Sequence, residues 1–186
     1  MLSAGASLRW YRDTFCNGMH YDALIEEAAL VPAGSEGLRF MPYLAGERTP
    51  HNDPNLTASF MGITGRHTRA HFSRAVLEGV LYGLADGIHL VSSSGAQIDR
   101  IRMSGGGARS DVWRAMAADV FGVPVATVKN ANGSAYGAAL LAMVGSGRFK
   151  SVSDAMHEHV HEVEVADPSS NALQYQRLHA DWKHGL

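Results

Sequence analysis

The stretch "IRMSGGGARSDVWRAMAADVFGVPVATVK", residues 101–129, decides the fold class. Its opening residues close the segment "QIDRIRMS", which alternates apolar and polar as a half-buried strand does. Residues 109–121 then place Val112, Met116 and Val120 beside Trp113, Ala117 and Phe121 on one broad face, the pattern of an amphipathic helix. "VPVATVK" reads as a second strand. Strand, helix and strand in succession point to an α/β protein.

Between the first strand and the helix stand Gly105, Gly106 and Gly107. Glycine in an ordered segment is destabilising, because the unfolded chain loses more freedom when it is fixed. A flexible linker would not be flanked so tightly by two strongly patterned elements. Two readings remain on spacing alone, since the run is neither a Walker A loop nor a G-x-G-x-x-G fingerprint. One is a tight turn at a strand end. The other is a contact surface: the unpaired N–H groups and dipole of a helix start attract an anion, and bare glycines let a phosphate or flat base come close. Ser110 and Asp111 fall where a helix cap belongs, and closing the first turn is enough to explain them.

Outward from this segment, residues 4–15 and 20–30 read as two short helices separated by "CNGMH". "LRFMPYL" (38–44) looks like a strand, and a loop rich in Pro, Asn and Asp, "AGERTPHNDPNLT", follows it. The strand-like "ASFMGI" leads to a long helix from about Thr68 to Ser93, striped by Phe72, Val76, Val80, Leu84, Ile88 and Val91. Gly79, Gly83 and Gly87 repeat every four residues on a neighbouring face, which fits either close approach of another element or tolerated glycines without a partner. "SAYGAALLAMVG" predicts a buried small-residue helix ending at Gly145, and "HEVEVAD" a last strand. "SSNALQYQRLHADWKHG" closes as a helix, although Leu173, Gln176, Leu178 and Trp182 make no clean stripe.

A chain of 186 residues, 46% hydrophobic and 18% charged, is expected to form one globular domain with a real core. A net charge of −2 argues against a dedicated nucleic-acid binder. Cys16 is the only cysteine, so no intrachain disulfide forms; it reads as a small buried hydrophobe in a cytoplasmic protein. The N-terminus lacks a signal-peptide pattern. The long apolar segment is interrupted by Glu78 and Asp86 and is expected to be a soluble helix, not a membrane span.

Three stretches carry a family resemblance. "PYLAGERTPHNDP" (42–54) is the first. The second, "ASFMGITGRHTRAHFSRAVLEG" (58–79), sets Ala58, Phe60, Gly62 and Ile63 ahead of a seven-residue gap, then His71, Phe72, Ala75, Val76, Leu77 and Glu78. The third is "MSGGGARSDVWRAMAADVFGVPV" with "NGSAYGAALLA". Together and in this order they resemble the C-terminal domain of the FGGY carbohydrate kinases, and among these most nearly the xylulokinases.

The resemblance implies an actin-like ATPase (ribonuclease H-like) domain of α/β class, with a mixed sheet and flanking helices. Residues 1–186 would be the C-terminal, nucleotide-binding lobe only, with the sugar-binding and catalytic domain lying outside them. ATP with Mg²⁺ would sit in the cleft between the two domains. Backbone at Gly105, Gly106 and Gly107 would lie against phosphates and ribose, Ser110 and Asp111 would be near the adenosine, and Ala108 would belong to the same nucleotide-binding set. The helix Ser134–Met143 would pack behind the base. Asn132 stands where the family often has an acidic residue, which weakens any role for Asn132 itself.

Phosphoryl transfer also needs an acceptor hydroxyl relieved of its proton, usually by a carboxylate. In the family that aspartate belongs to the N-terminal domain. None of the acidic residues here falls on its motif, so no catalytic residue and no protein metal ligand is assigned. The parent reaction implied is transfer from ATP to D-xylulose, giving ADP and D-xylulose 5-phosphate, with the isolated chain inactive. Ribulose, glycerol and gluconate stay open as acceptors. A non-catalytic nucleotide-binding or interaction module is the alternative from another class. The partners implied are ATP or ADP and a sugar held mainly by the missing lobe, without nucleic acid or membrane; a homodimer is left open.

"HEHVH" (157–161) formally satisfies H-E-x-x-H. That zinc chemistry needs both histidines on one helical face. The following "HEVEVADP" alternates as a strand, so the reading is a solvated loop or strand edge, with incidental metal capture by His157, His159 and His161 as the residue of the motif. Glu47, Arg48 and Thr49 fit either a surface turn or a role in domain closure, and His51 and Asp53 read as turn residues.

Overall fold

The computed structural model describes residues 1–129 and 133–184. Asn132 lies outside the described residues.

Helix α3 (Arg69–Ser93) organises the core. Its Val76, Leu77, Val80, Leu81 and Ala85 are buried among α1 (Ala4–Phe15), α2 (Tyr21–Ala29), β1 (Arg39–Met41), α4 (Asp111–Phe121) and α7 (Ala172–Lys183). By length and apolarity α3 matches a membrane span, yet most of it is packed inside the protein. Its acidic interruptions are both bonded there. Glu78 accepts from the Gly34 N–H, Arg74 Nε and the Tyr175 hydroxyl, while Asp86 meets His179 and Lys183.

The three α3 glycines differ. A Cβ on Gly79 would collide with the carbonyl oxygen of Phe40 on β1, so a side chain there would push the helix off the strand. At Gly83 it would press on the flexible end of Met1 at 3.3 Å and touch Pro42 at 3.5 Å, and at Gly87 it would meet nothing within 4 Å. Close approach explains the first, and the last is merely tolerated.

β1 pairs antiparallel with β2 (Ser59–Met61), Arg39 opposite Met61. A second sheet has the order β3 (Ile101–Arg102), β4 (Val125–Val128), β5 (Glu162–Ala166). β3 and β4 are parallel and joined through α4, whereas β5 is antiparallel with a bulge opposite Ala126 and Thr127. The class is therefore mixed α/β, as the pattern predicts. β3 is much shorter than the alternation of "QIDRIRMS", because only Ile101 to Met103 reach the β4 side: Ile101 N–H donates to the Pro124 carbonyl and Met103 N–H to that of Ala126.

Three expectations need correction. α5 (Gly133–Gly145) is not buried: only Leu140 is, and Ala135, Ala138, Ala139 and Leu141 are exposed. Small apolar residues all round a helix give no preferred stripe, so composition could not indicate a partner. Second, Val152–His159 form a helix, α6, opened by the Ser151 Oγ accepting from the Asp154 N–H at 3.1 Å. It takes in His157, Glu158 and His159, which are neither loop nor strand edge, and it stops before His161. The H-E-x-x-H face is thus broken by the helix end rather than by a strand. Third, α7 does have a buried stripe, Tyr175, His179 and Trp182 at helical spacing. It escapes a search for aliphatic residues because aromatic rings and an imidazole compose it.

Candidate functional site

Past β3 the chain enters the glycine turn. Gly105 has φ +86°, in the left-handed region where a side chain is strained. Residues Gly106–Arg109 form one 3₁₀ turn, and α4 starts beyond Ser110. The Ser110 Oγ accepts from the Trp113 N–H at 3.2 Å, which is the helix cap that the sequence indicates.

Gly107 and Gly106 are bare for different reasons. A Cβ on Gly107 would lie 2.5 and 2.6 Å from Cζ3 and Cε3 of Trp113, so the indole occupies that space. A Cβ on Gly106 would meet nothing within 4 Å. Among the described residues, the N–H groups of Gly105, Gly106 and Gly107 donate to no protein acceptor. They sit at the carboxyl end of a parallel strand and ahead of the N-terminus of α4, where open α/β sheets take their ligands.

The turn faces a cleft of about 740 Å³. Gly106, Gly107, Arg109, Ser110 and Trp113 form one wall; Gly5, Leu8 and Arg9 of α1 with Tyr21 and Ile25 of α2 form the other. This volume is within the range of small-molecule sites. Leu8, Ile25 and Trp113 make part of the lining apolar, and the exposed guanidinium-bearing residues Arg9 and Arg109 add positive charge. The α1–α2 wall carries no motif and lies about a hundred positions from the glycines, so nothing in the sequence marks it.

Not every predicted residue reaches this cleft. Ala108 is buried, and its carbonyl accepts from Arg114 Nη1 at 2.7 Å. The exposed Asp111 carboxylate lies 2.6 Å from Arg114 Nη2. Arg114 also lies 3.2 Å from Glu164 of β5, so it pins the turn to the sheet. Helix α5, with Ser134–Met143, packs on α6 instead, and the Tyr136 hydroxyl donates to the His159 carbonyl. It does not line the cleft.

The "GERTP" loop is bonded to itself. Glu47 is buried, and its Oε1 accepts from the N–H groups of Arg48 and Thr49 at 2.8 and 3.2 Å. Glu47 and Asp53 exchange backbone hydrogen bonds, and the Asp53 carboxylate accepts from the Asn55 N–H. His51 Nε2 meets the Tyr43 hydroxyl at 3.1 Å. These contacts account for His51 and Asp53 as turn residues.

Comparison with known proteins places this geometry. Residues 1–146 match the profile described as "FGGY family of carbohydrate kinases, C-terminal domain". The chain belongs to the FGGY family. It is 41% identical over 169 residues to a xylulose kinase of Staphylococcus epidermidis, covering 91% of this chain and 34% of that protein. The crystal structure of ligand-bound xylulose kinase from Lactobacillus acidophilus matches with TM-score 0.89 at 30% identity, over 97% of this chain and 37% of that one. Gluconate kinase from the same organism matches with TM-score 0.88 at 31% identity, over 97% and 37%. The chain therefore spans about a third of the length of these FGGY relatives. Its fold is a C-terminal part of the actin-like ATPase fold that FGGY kinases share.

Proposed function

We propose that residues 1–186 are the nucleotide-binding lobe of a carbohydrate kinase, and that ATP or ADP occupies the cleft between the glycine turn and α1–α2. The observation that carries this is Gly106: it faces open space in the cleft, flanked by main-chain N–H groups without protein acceptors. Those donors suit phosphate and ribose oxygens, Arg9 and Arg109 suit the polyanion, and the apolar lining suits a flat base. Ser110 and Asp111 then act by holding the turn and the start of α4 in place, and Ala108 by its carbonyl bond to Arg114.

Mg²⁺ fits this cleft poorly as an ion held by the chain. It demands near-octahedral oxygen ligation. The carboxylate at the cleft is Asp22, already 3.2 Å from His20. The ion would arrive on the nucleotide phosphates.

For the parent enzyme we propose transfer of the γ-phosphoryl group of ATP to a hydroxyl of D-xylulose in the cytoplasm. The similarity to xylulose kinases in both sequence and structure supports this acceptor. Gluconate is the second reading, favoured by the nearly equal TM-score of the gluconate kinase. The sugar pocket and catalytic base would come from a lobe outside these residues, and closure of the two lobes would exclude water from the transfer. Half a cleft cannot close, so the chain alone should not turn over D-xylulose with ATP.

Calorimetry with ADP and Mg²⁺ tests the nucleotide half. Saturable binding by the wild type, lost in Gly106→Leu at unchanged melting temperature, is the expected result. Equal binding by Gly106→Leu would put the nucleotide elsewhere.

A further inference from the structure

Apart from the nucleotide cleft, with which its cavity shares no lining residue, α3 and α7 bring three metal-ligating side chains to one point. Asp86 and His89 stand one turn apart on α3, and His179 comes from α7; one ligand atom from each lies within 4.8 Å of the other two. Asp86 and His179 are buried, and His89 is exposed. The His179 ring is held in place: Tyr82 stacks on it at 5.4 Å and 9°, and His89 lies 5.3 Å away. Asp86 and His89 open onto a shallow cavity of about 310 Å³, which Pro50, His51 and Lys183 also line, while His179 closes the group from the protein side.

We propose that Asp86, His89 and His179 form a binding site for a divalent transition-metal ion of the zinc class. Two imidazole nitrogens and one carboxylate oxygen suit zinc, cobalt or nickel, whereas magnesium and calcium prefer oxygen shells. In a tetrahedron with bonds of about 2.0–2.2 Å, ligand atoms lie roughly 3.4 Å apart. Asp86 Oδ1 and His179 Nε2 already lie 3.0 Å apart, and the exposed His89 side chain would have to move in to complete the set. The cavity leaves the fourth position to water, as in zinc sites with three protein ligands.

The Asp86 carboxylate is already engaged where an ion would sit. Asp86 Oδ1 lies 3.0 Å from His179 Nε2 and 2.7 Å from Lys183 Nζ. Binding therefore displaces the Lys183 ammonium, whose side chain is 42% exposed and free to swing into solvent. It also requires His179 Nε2 without a proton, since metal ligation uses the imidazole lone pair. The bound ion would tie α7 to α3 and stabilise the fold by mass action. The site is separate from the nucleotide cleft and stands whether or not that reading holds.

The test uses the untagged chain, stripped with EDTA and titrated with Co²⁺ while the visible absorption of the ligated ion is recorded. Zn²⁺ then competes, and thermal unfolding is followed with and without Zn²⁺. One equivalent of Co²⁺ displaced by Zn²⁺, and a Zn²⁺-dependent rise in melting temperature, are expected. His89→Ala should weaken binding by at least the roughly 10–100-fold that loss of an outer-shell partner of a ligand costs, at unchanged stability of the metal-free protein. Lys183→Gln should bind severalfold more tightly, because the competing ammonium is gone. A triple change of His157, His159 and His161 to Ala should leave binding intact. No cobalt band in the wild type, undiminished binding by His89→Ala, no gain in Lys183→Gln, or loss in the triple variant would each overturn the proposal.

Discussion

The indole of Trp113 fills the space that a Cβ on Gly107 would need, with Cζ3 and Cε3 at 2.5 and 2.6 Å from that point. The glycine run is thus partly an internal packing device, and ligand access accounts for only part of it. Gly107→Ala must displace a buried ring, and overpacking of this kind costs about 1–3 kcal/mol. Gly106→Ala, one residue earlier, should stay within about 0.5 kcal/mol of the wild type. Urea unfolding of the two variants measures the difference, and Trp113 fluorescence should change in the first only.

The same logic separates two glycines of α3. Gly79→Ala forces the helix from the Phe40 carbonyl and should destabilise by about 1–3 kcal/mol. Gly87→Ala meets no atom within 4 Å and gains helix propensity, so it should stabilise by roughly 0.5–1 kcal/mol. Equal effects at the two positions would contradict close packing of Gly79 against Phe40.

This pair also shows how far sequence reading reaches. The four-residue spacing of Gly79, Gly83 and Gly87 fits close approach and tolerated glycines alike, and periodicity cannot say which glycine meets a neighbour, since that depends on where β1 crosses α3. The βαβ order around the glycine turn is legible because strands and amphipathic helices have different periods. The cleft's second wall is not, because Arg9 and Tyr21 reach it through tertiary packing alone. Burial of α5 is misjudged for a related reason: apolar composition states what a helix can bury, and only the arrangement states against what.

Trp182 ties α7 to β1, its Nε1 donating to the Phe40 carbonyl at 2.8 Å. Trp182→Phe keeps most of the apolar volume but leaves that carbonyl without its donor in the core. A loss of about 1–3 kcal/mol is expected from the unsatisfied group, with a smaller cavity contribution, read from thermal or urea unfolding.

Arg9 and Arg109 flank the proposed nucleotide cleft while both side chains remain exposed. Replacing either with Ala should weaken ADP binding and flatten its dependence on salt, since screened charge attraction is what is removed. Folding stability should change by less than about 0.5 kcal/mol. Calorimetry at two ionic strengths checks both statements.

Arg74 and Glu78 form a buried pair at 2.8 Å that joins three parts of the chain, because Arg74 also donates to the carbonyls of Ala28 and Val31 while Glu78 holds Gly34 and Tyr175. Burial drives the Glu78 carboxyl above its ordinary value of 4.5, and the charge and hydrogen bonds of Arg74 offset this only in part. Arg74→Met removes that offset, so the folded-state value rises further. Below the ordinary carboxylate value Glu78 is protonated in both folded and unfolded chains, and the variant loses only packing and hydrogen bonds. As pH rises through that value the unfolded chain ionises freely while the folded one cannot, and stability falls with pH until the folded group ionises too. At neutral pH the loss should reach about 3–5 kcal/mol, the cost of stranding a buried charge. The double variant Arg74→Met/Glu78→Gln should recover part of it and remove the added pH slope. Urea unfolding between acid and neutral pH measures both, and a pH-independent loss in Arg74→Met would show that Glu78 is not the group responsible.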